Sequence, residues 1–191
     1  MNKAKYLHVF NNETKFSKGF FEFLQDNQFS LSQHELFHYG KKDLSYHNFG
    51  MRRSVFAKYF SIIKHLQLLR SMFKVEKIFI HSLASPWLLL FLFLFPQLTH
   101  KVYWVIWGKD LYFYQLLEKK HFYHYIYEFF RKRVFKRIKH VITYVQGDAE
   151  LAKEWYQVEA EYHECLMYPS NLFKKNKTKQ TEEKQTITIQ V

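Results

Sequence analysis

The sequence is poor in glycine, proline and cysteine, and these shortages exclude several classes of function. It has five glycines, three prolines and one cysteine, Cys165, in 191 residues. No two glycines are close enough to form a G-x-G-x-x-G or P-loop cradle, so we do not expect this chain alone to bind a nucleotide in the usual way. One cysteine permits neither an intrachain disulfide nor a cysteine-rich metal site, which fits a reducing cytoplasmic setting.

Motifs of metal-dependent and hydrolytic enzymes are also missing. The sequence contains no D-x-D pair and no G-x-S-x-G elbow, and its H-E-x-x-H match, H-E-L-F-H over 34–38, overlaps a predicted strand and so is not the helical zinc-protease signature. These are the patterns that hold many divalent ions, zinc-protease metals and esterase nucleophiles. The sequence therefore predicts no metal ligand set and no cofactor.

Long apolar runs are scarce as well. The most apolar stretch, 87–95, lies between Pro86 and Pro96 and has about half of the roughly 20 residues that span a bilayer. The amino-terminal residues lack the apolar core and small-residue cleavage site of a signal peptide. We expect neither a transmembrane helix nor export.

Aromatic residues and positive charge, in contrast, are abundant. Aromatic residues make up 20% of the chain, and the formal net charge is +12. This composition supplies a packed core for one domain and favours an anionic partner, which could be nucleic acid, a phospholipid surface or a substrate phosphate. Charge alone does not choose among these partners.

Apolar runs typical of strands alternate with helical patterns along most of the chain. Such alternation indicates a parallel sheet covered by helices, so we predict a Rossmann-like α/β domain over 1–170. A polar linker over 171–185 and a strand over 186–191, which would open a second domain, follow it. The predicted strands are 5–10, 35–39, 77–81, 102–107, 141–145 and 164–167, and the predicted helices are 15–24, 52–73, 87–95, 112–137 (one bent helix or two) and 148–156.

The segment W-V-I-W-G-K-D-L-Y, 104–112, runs from the end of a predicted strand into a predicted helix. Functional loops of α/β folds lie at such places, so Asp110 is a candidate general base or ligand of a sugar hydroxyl. The alternative is that Asp110 caps the following helix while Gly108 supplies a turn.

Three other side chains follow or lie in predicted strands. His81 is a candidate base or acceptor ligand, although a lone histidine is more often structural. Glu13, just after the first strand, is a third candidate base, and His8 inside that strand is expected to be a hydrogen-bonded core residue. Asp148 is expected to cap a helix.

The run 131–140 alternates cations with apolar residues. Such a segment can rest on anionic lipid headgroups, each cation contributing roughly 1 kcal/mol. The alternative is a solvated helix face whose Val134, Phe135 and Ile138 point into the core, and both can hold together. The predicted membrane contacts are Arg131, Lys132, Arg133, Lys136, Arg137 and Lys139.

Several segments together resemble glycosyltransferase family 56, the TDP-N-acetylfucosamine:lipid II N-acetylfucosaminyltransferases of enterobacterial common antigen synthesis. They are I-W-G-K-D-L-Y (106–112), R-K-R-V (131–134), T-Y-V-Q-G-D (143–148) and L-M-Y-P-S (166–170). The likeness extends to the first strand, to F-I-H (79–81) with Pro86 and Trp87, and to T-I-T-I (186–189). It covers essentially the whole chain.

The resemblance implies the acceptor-side half of a two-domain GT-B enzyme. The full enzyme would transfer N-acetylfucosamine or a related sugar from a TDP-sugar to an undecaprenyl-pyrophosphate-linked saccharide, peripherally, at the cytoplasmic face of the bacterial inner membrane. Most donor contacts belong to the family's second domain, so we expect this chain to be a fragment, inactive alone. Acceptor-binding candidates are Asn11, Trp107, Gly108 and Tyr112.

Two other interpretations remain open at this point. One is a non-catalytic peripheral membrane module that binds anionic or polyprenyl-phosphate lipids. A nucleic-acid-binding role fits the charge but lacks any RNA-recognition, KH or helix-turn-helix signature, so we predict no nucleic-acid partner. If Asp110 is catalytic, an Asp110→Asn substitution is expected to abolish transfer and leave folding intact.

Overall fold

A computed structural model describes residues 4–10, 14–26, 30–38 and 61–165 of the chain. The strands are β1 (Tyr6–Phe10), β2 (His34–His38), β3 (Lys77–His81), β4 (Val102–Val105), β5 (His140–Thr143) and β6 (Glu161–Glu164). The α-helices are α1 (Thr14–Asp26), α2 (Ser61–Lys74), α3 (Pro86–Leu94), α4 (Lys109–Tyr112), α5 (Phe122–Phe135) and α6 (Gln146–Tyr156), with 3-10 turns at Leu31–Gln33 and Pro96–Lys101.

The six strands form one sheet in the order β2-β1-β3-β4-β5-β6, and every pairing is parallel. The predicted Rossmann-like α/β fold is therefore confirmed. The connections that follow β1 and β3 leave in opposite directions, because β2 lies on one side of β1 and β4 on the far side of β3. In such sheets the ligand crevice lies beyond the carboxyl ends of the two strands at this switch point.

Most predicted elements occur where the pattern placed them, but two differ. In the stretch 112–137, predicted as one bent helix or two, α4 ends at Tyr112 and α5 covers only Phe122–Phe135. The last described strand is 161–164, where Glu161 to Glu164 are in register with β5, and it shares only Glu164 with the predicted strand 164–167, whose last two residues lie outside the described part of the chain. Residues 52–60 of one predicted helix, the linker and the terminal strand lie outside the described residues.

The two faces of the sheet have different cores. Leu7, Ile78, Ile80, Trp104 and Val141 alternate onto one face, where they pack with residues of α2, α3, α5 and α6. On the opposite face Phe10 packs with Leu24 and Phe20 of α1. The alternation of strand side chains assigns these residues to their faces.

Helix α3 is apolar all round, as its sequence predicts. Its Leu88, Leu89, Phe91 and Leu92 are buried, while Trp87 and Leu94 are exposed. Within the four described ranges, no helix has the length and apolar character needed to cross a bilayer.

Candidate functional site

The loops that follow β3 and β4 border the switch-point crevice. Gly108 stands between β4 and α4 with φ of +76°, a left-handed conformation that glycine adopts without strain. Its predicted turn is therefore confirmed, and Trp107 beside it is partly buried against the Phe10 and Leu24 cluster. The predicted candidates Asn11 and Glu13 lie outside the described residues.

Asp110 is buried below these loops, with 1% of its surface exposed. One carboxylate oxygen accepts hydrogen bonds from the Leu83 backbone N–H at 2.9 Å and from Trp104 Nε1 at 2.6 Å. The other accepts from the Trp107 backbone N–H at 3.0 Å. The carboxylate therefore joins the loop after β3 to strand β4 and the loop after β4.

This geometry favours a structural role for Asp110. Burial raises its pKa, and the three hydrogen bonds oppose that rise. Gly108, and not Asp110, is the N-cap residue of α4, and the three donors named above come from β4 and from the loops after β3 and β4, so the side chain ties these segments together and is not the helix cap that the alternative interpretation described. A carboxylate enclosed in this way is poorly placed to take a proton from a bound acceptor.

Arg131 requires a correction, because its side chain lies in the interior and not on a membrane-facing surface. Its guanidinium donates to the Asp110 carbonyl oxygen and to Glu128 Oε2, the latter at 3.1 Å. The rings of Phe113, Tyr127, Phe135 and Tyr156 surround it with centroids between 5.0 and 5.9 Å away. Charge pairing and cation–π contacts offset the loss of hydration.

Glu128, the buried partner of Arg131, completes this interior group. Burial raises the pKa of Glu128, and the positive charge of Arg131 opposes the rise. Through Arg131 the group connects α5 to the Asp110 backbone and so to the loops at the crevice. We call Asp110, Glu128 and Arg131 the interior network.

His81 ends β3 and is 4% exposed. Its ring stacks on Phe10 with centroids 3.7 Å apart, and its Nε2 lies 3.4 Å from Nδ1 of His8. Burial lowers the pKa of His81 to about 3, so the imidazole is neutral near pH 7. The structural interpretation is again the better fit.

His8 lies between two other histidines on neighbouring strands. Its Nε2 is 2.9 Å from Nδ1 of His34, and its other ring nitrogen faces His81. Burial, followed by the charges of His81 and His34, lowers the pKa of His8. The prediction that His8 is a hydrogen-bonded core histidine is confirmed.

Tyr112 and Asp148 connect α4 to α6. The Tyr112 hydroxyl donates to Asp148 Oδ1 at 2.5 Å, and this bond raises the pKa of Tyr112. Asp148 lies within the first turn of α6, whose N-cap residue is Val145. The prediction that Asp148 caps the helix is wrong in this detail, since α6 begins two residues earlier.

The other five cations of the 131–140 run are exposed and line a cleft of about 1040 Å³. The cleft lies between the end of α5, the 3-10 turn 96–101 and the end of α6, next to the residues that lead into β4, β5 and β6. It therefore opens at the amino edge of the sheet, opposite the crevice. Its cationic residues are Lys132, Arg133, Lys136, Arg137 and Lys139.

Helix α5 also presents apolar side chains to solvent. Phe122, Ile126 and Phe129 recur at helical spacing on its exposed side, and Phe122 is 79% exposed. The guanidinium of Arg133 lies 4.5 Å from the Phe129 ring centroid, so this apolar side adjoins the cationic cleft. These exposed side chains lie outside the 131–140 run to which the sequence confined the predicted membrane contacts.

Similar exposed apolar side chains occur on the two neighbouring helices. Ile62 and Leu66 are exposed on α2, and Trp87 and Leu94 on α3. The helices are in contact, because His65 of α2 stacks on Trp87 at 4.5 Å and Phe93 of α3 meets Phe130 of α5 at 4.8 Å. We call the exposed apolar residues of α2, α3 and α5 the apolar surface.

The described residues also bring together three metal-ligand side chains, His140, Glu161 and His163. The sequence predicted no metal ligand set, because these residues match none of the familiar spacings. The detectable signal was E-x-H over 161–163, which places both side chains on one face of a strand. Their tertiary partner His140 comes from the neighbouring strand.

No family model matches this chain, and no curated protein is significantly similar to it.

Proposed function

We propose that this chain forms the acceptor-side domain of a bacterial glycosyltransferase that resembles family 56. The complete enzyme would transfer N-acetylfucosamine or a related 4-acetamido-4,6-dideoxygalactose from a TDP-sugar to an undecaprenyl-pyrophosphate-linked saccharide. The enzyme would bind peripherally to the cytoplasmic face of the inner membrane and catalyse the transfer there. A second domain would make most of the contacts with the donor.

One observation carries the lipid-linked part of this proposal: the apolar surface adjoins a cleft lined by five cations. Rings and aliphatic side chains enter the acyl boundary, while lysine and arginine attract lipid phosphates. A polyprenyl-pyrophosphate carrier presents the same two chemistries. The cleft and the apolar surface would therefore hold the domain on the bilayer that carries the acceptor, while the acceptor saccharide would reach the crevice at the opposite edge of the sheet.

The segment 106–112, which carries part of the resemblance, supports the glycosyltransferase part. It forms the strand-to-helix turn at the carboxyl edge of the sheet, beside the switch-point crevice. Within our proposal Asp110 and His81 position the crevice loops, and Trp107, Gly108 and Tyr112 border the acceptor. Glu13 stays a candidate base, and Asn11 a predicted acceptor ligand.

Transfer is tested with the product of the complete reading frame, a TDP-linked acetamido-dideoxygalactose and an undecaprenyl-pyrophosphate disaccharide. The expected result is an undecaprenyl-linked trisaccharide, detected by mass spectrometry. The acceptor disaccharide without its lipid, supplied as the free sugar, serves as the control and should react far more slowly. Failure of the lipid-linked acceptor under conditions where the protein is folded would contradict the enzyme proposal.

The apolar surface and the adjoining cationic cleft also favour a second candidate function, that of a non-catalytic peripheral membrane module. Such a module would need no donor site. Vesicle sedimentation of the 191-residue chain tests membrane binding separately from transfer. Vesicles with anionic lipid should bind the chain, and an oligonucleotide at matched salt should bind it more weakly. Binding without transfer by the complete product would favour the module, whereas tighter oligonucleotide binding would contradict both candidates.

Matched substitutions locate the membrane contact. Lys136→Gln with Lys139→Gln removes two cleft cations and should weaken vesicle binding roughly 30-fold, at about 1 kcal/mol for each cation. Lys77→Gln with Lys109→Gln removes two exposed lysines outside the cleft and should change binding much less. Equal losses would mean that net charge, and not the cleft, attracts the chain.

A further inference from the structure

Three side chains with metal-binding atoms meet on the sheet face opposite α5 and α6. His140 opens β5 and is directly in register with Glu161 of β6, and His163 lies two residues further along β6, on the same face. Nδ1 of His140 is 3.2 Å from Nε2 of His163 and 3.3 Å from Oε2 of Glu161. The remaining pair, Nε2 of His163 and Oε2 of Glu161, is 3.8 Å apart.

This triangle has the dimensions of three ligands around a tetrahedral ion. Zinc bonds of about 2.0–2.2 Å separate neighbouring tetrahedral ligands by roughly 3.3–3.6 Å. The three measured distances fall at or close to that range, so only small side-chain movements are needed. Hydrogen bonding alone explains the group less well, because Nδ1 of His140 carries at most one hydrogen and faces two partners.

The surroundings orient the first ligand and leave room for a fourth. The Tyr103 ring stacks on His140 with centroids 4.1 Å apart and an interplanar angle of 5°. His140 and His163 are partly exposed and Glu161 is exposed, so water can reach the ion. Two imidazoles and one carboxylate suit zinc, while magnesium and calcium prefer oxygen ligands alone.

We propose that His140, Glu161 and His163 bind one zinc-type divalent ion, with water as the fourth ligand, and that the ion fastens β6 to β5. β6 is the last strand of the sheet order and pairs with β5 alone among the described strands. Two of the ligands belong to β6 and one to β5, so the bound ion bridges this pairing. Binding stabilises the folded chain by mass action.

Titration calorimetry of the full chain with zinc sulfate tests the site. The expected result is one zinc ion per chain, and magnesium chloride should give no comparable binding. Glu161→Gln and His163→Ala should each weaken zinc binding by at least about tenfold, since even the loss of residues supporting metal ligands has effects of this size. Glu164→Gln is the matched control, because it makes the same change on the same strand but on the opposite face.

Two further readouts separate a defined site from scattered histidine binding. Cobalt in place of zinc should give the strong visible absorption of a tetrahedral centre, which His140→Ala with His163→Ala should abolish. Zinc should raise the unfolding temperature of the unsubstituted chain and not that of this double variant. Equal zinc affinity in Glu161→Gln and Glu164→Gln, full zinc binding by the double variant, or equal magnesium binding would overturn the proposal.

Discussion

The two sides of α5 invert the usual arrangement of a surface helix. The core-facing side carries His124, Glu128 and Arg131, all buried, while the solvent side carries Phe122 and Phe129. Surface helices normally bury an apolar stripe and expose their charges. On the core-facing side of α5, the polar residues connect through Arg131 to the crevice loops. On the solvent side, the rings are available to a partner.

Arg131 and Arg133 show the difference at close range. Arg131 is enclosed by four rings and bonded to the interior network, whereas Arg133 is exposed beside Phe129. Two positions along a helix turn a side chain by about 200°, which moves it to the other side. The two arginines therefore serve as matched probes of the interior and of the surface.

The largest expected effect is that of Arg131→Met. Removing one partner of a buried ion pair leaves Glu128 without its counter-charge, so we expect a loss of about 3–5 kcal/mol in the free energy of unfolding. Arg133→Met should change that free energy by no more than about 0.5 kcal/mol. Urea unfolding of both variants measures the difference. Equal losses of unfolding free energy would contradict the placement of Arg131 in the interior and Arg133 on the surface.

Acid should destabilise the chain through the buried histidines. The pKa of His81 is about 3 in the folded chain and 6.5 as the ordinary value, so the unfolded state binds more protons between these pH values. The contribution of His81 to stability is therefore complete above pH 6.5 and falls as the pH drops, by up to about 1.4 kcal/mol per pH unit. His81→Phe should show a shallower pH dependence in urea unfolding, and an unchanged slope would count against the buried neutral imidazole.

Asp110→Asn should have a smaller effect on stability. The asparagine amide turns at least one of the three donor contacts into a donor–donor contact, which costs about 1–3 kcal/mol when the group stays buried. The expectation that this variant folds as well as the parent is revised accordingly, since the side chain holds two loops together. Thermal unfolding checks the loss, and an unchanged midpoint would show that the carboxylate is not a structural tie.

The smallest effect concerns the outer rings. Phe129→Ser should leave the unfolding free energy within about 0.5 kcal/mol, because the side chain is 47% exposed. It should weaken binding to anionic vesicles several-fold, because an apolar group no longer enters the interface. Phe23→Ser on α1 is the control, since α1 covers the other face of the sheet. Equal vesicle binding by all three proteins would remove the apolar surface from the proposed membrane contact.

Local patterns were sufficient for the architecture. The run K-I-F-I-H predicts β3 with its observed bounds, and proline at 86 predicts the start of α3. Strand and helix periodicities act within a few residues, so they can be read along the chain. The boundary between α4 and α5 could not be read from the sequence, because aromatic residues occur throughout 112–137 and define no single helical face.

The candidate site was predicted less completely for a different reason. Asp110, His81 and Arg131 are residue types with catalytic or surface roles in many proteins, and nothing local distinguishes those roles from burial. Their burial depends on Trp104, Phe10 and Tyr156, which come from other elements. The cationic residues at 132, 133, 136, 137 and 139 were identified correctly as exposed, and all of them except Lys132 flank an apolar residue that faces the core.

The sequence by itself determined the parallel α/β architecture, the turn at Gly108 and the basic character of the end of α5. Only the tertiary structure decided that Arg131 is interior, that the rings of Phe122 and Phe129 face outward, and that His140 meets Glu161 and His163. The physical reason is that backbone propensity and periodicity are local, whereas burial and ligand geometry depend on strands and helices that are distant along the chain.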